Sequence, residues 1–314
     1  MPEKQGWSRD PGLLERALDE RRRFEEALGP EERSWLAQVP VTRLVEALDA
    51  RPENVRRSWV RADVEALVEE VRRLGSDRWV GRYLRLFLLV LVSRYLAQPS
   101  RFVIPPSVDE LLRADLTAIL DEREPEEGWP YALTRGSFLY RVGLSSGTTL
   151  PMGLFFGEAP TWLSQRVVAD LETVPRGPWL RGHLRSSTRG ELNLESLVGA
   201  QQREAEFVAQ NPSLVGVCGV TWFFDPVVAE ISPHLSYLRD QVFASGGELF
   251  AVGTDATTIA HATATSRTRR RLYDEGRYTP QKFLWVWRRA ELLRWTHDLH
   301  QDSRRGTVGS ADAD

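Results

Sequence analysis

The chain has 314 residues, 42% of them hydrophobic and 27% charged, which is apolar surface enough for one large folded domain or two smaller ones. A formal net charge of -3 and a pI near 6.1 leave no basic excess to hold a nucleic-acid backbone or an anionic membrane surface. One cysteine, Cys218, excludes an intramolecular disulfide and a two-cysteine zinc site and points to a reducing, cytoplasmic setting.

The first third reads as helices. Asp10-Pro11 is a start signal, after which Leu14, Leu18, Phe24 and Leu28 recur at helical spacing until Gly29-Pro30. From Arg61, the residues Val64, Leu67, Val68, Val71 and Leu74 share one face and Gly75 closes the element. The segment Asp77 to Ala97 is apolar around most of its circumference, as expected of a helix covered on several sides. Its apolar run Leu86 to Val92 is too short to cross a bilayer, and the polar start MPEKQGWSRD lacks a signal-peptide core. Ser107 to Glu122 reads as a further helix, with Ser107 as N-cap and Asp109 and Glu110 near the positive end of its dipole. Residues 1–122 therefore form an expected helical domain, whose surface offers a site for a protein partner or a second copy of the chain.

The charged, breaker-containing REPEEG at 123–128 marks the expected domain boundary. Beyond it, Phe138 to Val142 and Met152 to Phe156 flank LSSGTTLP and predict a hairpin. Trp179 to Ser186 predicts a strand, whose His183 reads by default as a structural histidine, with a place facing a pocket as the alternative. Asn193 caps a helix that runs to Ala209 before Asn211-Pro212 break it. Leu214 to Phe224 is β-branched, aromatic and almost continuously apolar, the pattern of a strand buried on both faces. Glu248 to Gly253 predicts a strand, a helix ends at Gly276, and Gln281 to Trp287 predicts another strand. Strands interleaved with helices give an α+β class, with a mixed-sheet domain over residues 129–300 and a polar tail, 301–314, of disordered composition.

Several clusters carry chemical potential. Ser145, Ser146, Gly147, Thr148 and Thr149 resemble a phosphate loop in composition, but no lysine follows to pair with a phosphate, so the stretch reads as a turn. SSTRGELN, Ser186 to Asn193, follows a strand and opens a helix; it reads as a capping segment in which Asn193 satisfies free amides and Arg189 faces water, with a pyrophosphate or carboxylate held by its backbone N–H groups beside Arg189 as the alternative. Asp225 and His234 come just after the most strand-like segment, where a general base for an amine would sit, although Asp-Pro and Ser-Pro are equally turn and helix-start signals. His297 and His300 lie three apart but lack a third ligand nearby, so no metal site is expected. Cys218 reads as a small buried hydrophobe, and Arg267, Arg269, Arg270 and Arg271 spread over more than one helical face as solvated charges, with phosphate contact as the alternative. The eleven tryptophans read mainly as core.

Ser266, Arg270, Leu272, Tyr273, Gly276 and Tyr278, in SRTRRRLYDEGRYTPQKFLWVW, resemble the last helix and following strand of the GNAT superfamily of N-acetyltransferases. The resemblance implies a GNAT-like α/β domain and acyl transfer from acyl-CoA or a similar thioester to an amine of a small molecule, with the thioester as cosubstrate and no resident cofactor. It implies Tyr273 as the general acid toward the departing thiolate, Asp225 or His234 as base, and Ser266, Arg270, Arg189 and Gly190 near the carrier. In a second register SSTRGELN is the diphosphate loop and LVGVCGVTWFF the family's splayed fifth strand, which leaves the Leu-Tyr helix one element late. The succession WFFDP, ISPHLSYLR and RRRLYDEGRY also resembles a bacterial family with no assigned mechanism. A small-ligand or protein-binding role, or a biosynthetic enzyme of another mechanism, are the alternatives on residues alone.

Overall fold

A computed structural model describes residues 10–50, 62–98, 100–132, 136–164, 171, 173–185 and 192–308. The protein is α+β, and its contacts divide it into two compact units, Met1–Pro151 and Met152–Asp314.

The first unit contains α1 (Pro11–Glu26), α2 (Pro30–Gln38), α3 (Val41–Asp49), α4 (Ala62–Leu74), α5 (Asp77–Ala97), α6 (Pro106–Asp121) and α7 (Gly136–Ser145), ending in the short strand β1 (Thr149–Pro151). Asp10 caps α1 by accepting from the Leu13 amide at 3.1 Å, as its sequence predicts. The apolar circumference of α5 is covered by its neighbours: Tyr83, Leu84, Phe87 and Leu88 pack with Val41 and Leu44 of α3 and Val68 and Val71 of α4. Helix α6 begins two residues earlier than its sequence suggests, with Pro105 rather than Ser107 at the N-cap and Ser107 inside the first turn. The expected hairpin around LSSGTTLP is corrected: Phe138 and Val142 lie on α7 and join the helical core. The turn is a helix ending, in which Gly147 takes a φ of 70° and the Thr148 amide closes onto the Gly143 carbonyl at 3.0 Å. This packing of α7 carries the first unit past the 123–128 linker to Pro151.

The second unit is built on β2 (Phe155–Trp162), β3 (Pro178–Leu184), β4 (Gly216–Thr221), β5 (Glu248–Gly253) and β6 (Lys282–Arg288), which lie side by side in the order β2-β3-β4-β6-β5. All neighbours are antiparallel except β3 and β4, which run parallel and are joined by α8 (Leu194–Gln210). Asn193 caps α8 as expected, accepting from the Ser196 amide at 2.9 Å. After β4 come α9 (Pro226–Ile231), a 3-10 turn at Pro233–Leu235 and α10 (Ser236–Ala244); α11 (Ala256–Thr263) and α12 (Arg267–Asp274) connect β5 to β6, and α13 (Arg289–Val308) follows β6. The stretch expected to be a disordered tail from Gln301 continues α13 as helix to Val308.

One sheet face carries Trp179, Cys218, Leu284 and Val286 in a cluster with Val174. The other receives α8 and α13, tied together where Arg289 donates to the carbonyl oxygens of Val208 and Ala209 at the α8 C-terminus. The strand-like reading of Leu214 to Phe224 holds for Gly216–Thr221, buried through Gly219.

Candidate active site

The parallel pair at the middle of the sheet is short. Its ladder registers Leu180 with Val217 and Arg181 with Cys218, and among the described residues no further pair follows. Both strands nonetheless continue: β3 stays bonded to β2 through the Phe155–Leu184 pair, and β4 stays bonded to β6 through the Thr221–Phe283 pair. Strands held on their outer edges but released from each other on their inner edges make a fork, its prongs Gly182–Leu184 and Gly219–Thr221. Among the described residues no ladder pair joins the prongs beyond Arg181 and Cys218. A ligand with its own amides or carbonyls can complete such an edge as a strand would.

Glycine stands at the root of each prong. A side chain at Gly219 would come within 2.3 Å of Nε1 of Trp285, and one at Gly182 would meet the Glu204 carboxyl at 3.0 Å and the Trp285 ring at 3.3 Å. The indole of Trp285 thus lies across the α8 side of the fork because neither prong carries a Cβ there.

On the opposite face, one residue further along β3, stands His183. Its Nε2 lies 3.0 Å from Oε2 of Glu158 on β2, and its ring stacks on Phe156 at 5.0 Å between centroids. This geometry follows from strand pairing: Phe156 is directly opposite His183 and Glu158 opposite Arg181, so Glu158 reaches His183 along the diagonal of the same face. Its side chain keeps 24% of its surface exposed, against 11% for Glu158. A half-buried imidazole held by a carboxylate can take a proton from a nucleophile that reaches it.

Beneath the fork, on α8, Glu204 is fully buried and neither carboxyl oxygen has a hydrogen-bond partner. Burial pushes its carboxyl up to about 8, so it holds a proton at neutral pH. Next to it, α8 and α10 are joined by the Gln241 amide donating to Gln201 at 3.2 Å. Tyr237, also on α10, has its phenolic oxygen buried without a partner, and burial raises its pKa.

The residues singled out from sequence are distributed as follows. Asp225 is buried and its carboxylate is engaged by backbone: Oδ1 accepts from the Val227 amide at 3.1 Å and Oδ2 from the Gln281 amide at 3.0 Å, joining the start of α9 to the approach to β6. His234 is exposed in the 3-10 turn. Ser266 is the N-cap of α12, accepting from the Arg269 amide at 3.2 Å. Arg270 is exposed and Tyr273 half-buried, both on α12. Because α12 belongs to the β5–β6 connection, strand β6 intervenes between β5 and the fork strand β4. Arg189 and Gly190 lie outside the described residues.

Expected solvation of the α12 arginines is corrected at Arg269, which is buried. Its Nε donates to the Ala262 carbonyl at 2.6 Å, one of its terminal nitrogens donates to Oγ of Ser232 at 2.8 Å, and its guanidinium stacks over Trp222 at 4.6 Å. It pins α11, α12 and the segment after α9 to one another, and burial lowers its pKa. The phenol of Tyr278, near Asp225 and Arg269, is raised by the same cause. Cys218 is buried, as its sequence setting predicts.

Sequence reading passed over Glu158 and Glu204 and took His183 as structural. The available signal was the glycine inside each strand, in RGHL and CGVT, because glycine in a strand marks a close approach.

No protein-family profile matches the chain, and no curated protein is similar to it by sequence. Among solved structures it is similar to an acyltransferase in complex with decanoyl-CoA, at 14% identity and a TM-score of 0.47 over 87% of this chain and 99% of that one. It is also similar to an acyltransferase mutant in complex with octanoyl-CoA, at 15% identity and a TM-score of 0.44 over 83% and 88% of the two chains. A third, an acyltransferase in complex with CoA and 10C-Teicoplanin, matches at 12% identity and a TM-score of 0.38 over 82% and 87%.

Among the described residues no three metal-ligating side chains cluster, and no helix is long and apolar enough to cross a membrane.

Proposed function

We propose that the second unit transfers an acyl group from a thioester carrier, such as acyl-CoA, to an amine of a small molecule. The observation that carries this reading is the fork: parallel strands β3 and β4 release each other after Arg181 and Cys218 while staying bonded to their outer neighbours. A carrier whose arm contains amide groups can bond strand edges there, where no further β3–β4 ladder pair follows among the described residues. His183, held by Glu158 at 3.0 Å, is the base that removes the amine proton as nitrogen attacks the thioester carbon. Asp225 is less available to a substrate in this reading, since both its oxygens already accept from backbone amides.

Of the two registers that the sequence offers, the parallel pair favours the one in which SSTRGELN precedes the helix after the first fork strand. Arg189 and Gly190 then meet the carrier's phosphates, where helix α8 supplies the positive end of its dipole. Ser266 and Arg270 belong to the other register, as does Tyr273, to which the family resemblance gives the role of acid.

The test is direct. Acetyl-CoA and longer acyl-CoAs are titrated by calorimetry and thermal shift, and thiol release is followed with a panel of amines. Stabilisation of the native chain together with amine-dependent thiol release is the expected result. Binding with no thiol release from any amine would favour a noncatalytic ligand-binding role, and absence of binding removes the proposal. Tyr273→Phe, read in the same assay, removes Tyr273 from the acid role if turnover is retained.

A further inference from the structure

Glu204 is the feature of the second unit that the proton-accepting dyad leaves unexplained. A buried carboxyl with neither oxygen bonded is costly to maintain. Its position is specific. Side chains on a helix lean toward its N-terminus, and α8 enters from the ends of the strands where the fork opens. The Glu204 carboxyl accordingly reaches up to the first residue of β3 beyond the last parallel pair, with Oε1 3.0 Å from the point a Cβ on Gly182 would occupy. Since neighbouring residues of a strand face opposite sides, Gly182 and His183 place Glu204 and the imidazole on the two faces of the same stretch of backbone. Trp285 walls the Glu204 side, lying over Gly182 and Gly219.

From this geometry we infer that Glu204 is the general acid of the reaction, giving its proton to the sulfur as the thiolate departs through the fork. The inference rests on the acyl-transfer reading above. The amine lone pair forms the C–N bond and the C–S bond breaks with its electron pair remaining on sulfur. The proton lost by nitrogen goes to His183, and sulfur takes the carboxyl proton of Glu204. An amide and a free thiol result, and the imidazolium and carboxylate return to their starting states by exchange with solvent. Burial supports the assignment because it keeps Glu204 in the neutral form from which a proton is given.

The experiment compares one acyl group on two carriers, CoA and its selenium analogue, whose selenolate leaves without protonation at neutral pH. Wild-type chain is run first: release of thiol to an amine supports the acyl-transfer reading, and its absence overturns that reading and this assignment together. With wild-type activity in hand, Glu204→Gln is expected to lower kcat on the thioester by about 100-fold or more with KM little changed, and on the selenoester by less than about 3-fold. Equal losses on both carriers, or no loss on the thioester, would overturn the role of Glu204 while leaving acyl transfer intact. If Glu204→Gln does not fold, Glu204→Asp carries the same comparison, its thioester loss exceeding its selenoester loss.

Discussion

Arg85 on α5 and Glu204 on α8 are both ionisable side chains withdrawn from water, and the two units treat them in opposite ways. Arg85 is provided for: its guanidinium donates to the carbonyl of Ile119 at 2.6 Å, Leu120 at 3.4 Å and Glu122 at 3.3 Å, lies 3.7 Å from the Glu122 carboxylate and stacks on Trp129 at 4.9 Å. It closes the carbonyl end of α6, which would otherwise be buried with orphaned acceptors. Burial lowers its pKa, while the neighbouring Tyr131 and Glu122 oppose that shift. Glu204 receives nothing comparable, and burial alone sets its protonation. The contrast is one of provision: Arg85 is surrounded by fixed partners, whereas neither carboxyl oxygen of Glu204 has one.

Substitutions in the two units should therefore fail differently. The largest effect is expected at His183→Ala, which should lower the amine-acylation rate by about 10²- to 10⁴-fold with little change in melting temperature; Glu158→Gln should lower it less, since the imidazole remains. A parallel fall in stability would move His183 back to a structural role.

Glu204→Gln should change stability with the opposite sign. The folded-state pKa of Glu204 is raised from 4.5 to about 8, so between those values the folded chain holds a proton that the unfolded chain has released. Stability contributed at low pH is lost as pH rises through that window, reaching about 5 kcal/mol above pH 8 as an upper figure, and glutamine removes the loss. Urea unfolding at acid and mildly alkaline pH checks this: the variant should gain on wild type only as pH rises, and a pH-independent difference contradicts it.

Arg85→Met should cost about 3–5 kcal/mol by the same unfolding measurement, because several buried carbonyls and Glu122 lose their donor. Acyl-CoA binding by the folded variant should be unchanged. The smallest expected effect is at Asn193→Ala, about 1 kcal/mol, from loss of the cap on the Ser196 amide at the start of α8. A far larger loss there would show that the entry to α8 does more than start a helix.

Much of the first unit was legible in the sequence. Asp10 and Gly75 mark helix ends where the chain places them, and a segment as apolar as Asp77–Ala97 has few options besides a covered helix. Where the reading of the first 151 residues missed, at Phe138 and Val142, a short apolar run beside a glycine turn fits strand and helix equally, and packing against the helical core decided. In the second unit Asn193, Glu248–Gly253 and the β6 segment were readable from capping and composition. Arg269 was not: a helix of four arginines reads as solvated until the element opposite supplies Trp222 and Ser232.

The candidate site was the least legible part, and for one reason. Helices and strands are written in residues close together along the chain, and the sequence by itself determined where many of them lie, the caps at Asp10 and Asn193, and the α+β class. The fork depends on which edges of β3 and β4 stay bonded, on Glu158 and His183 meeting from different strands, and on Glu204 reaching a glycine across a helix–sheet contact. Those relations join residues far apart in the chain, and only tertiary structure decides them, because only packing chooses which distant side chains share a space.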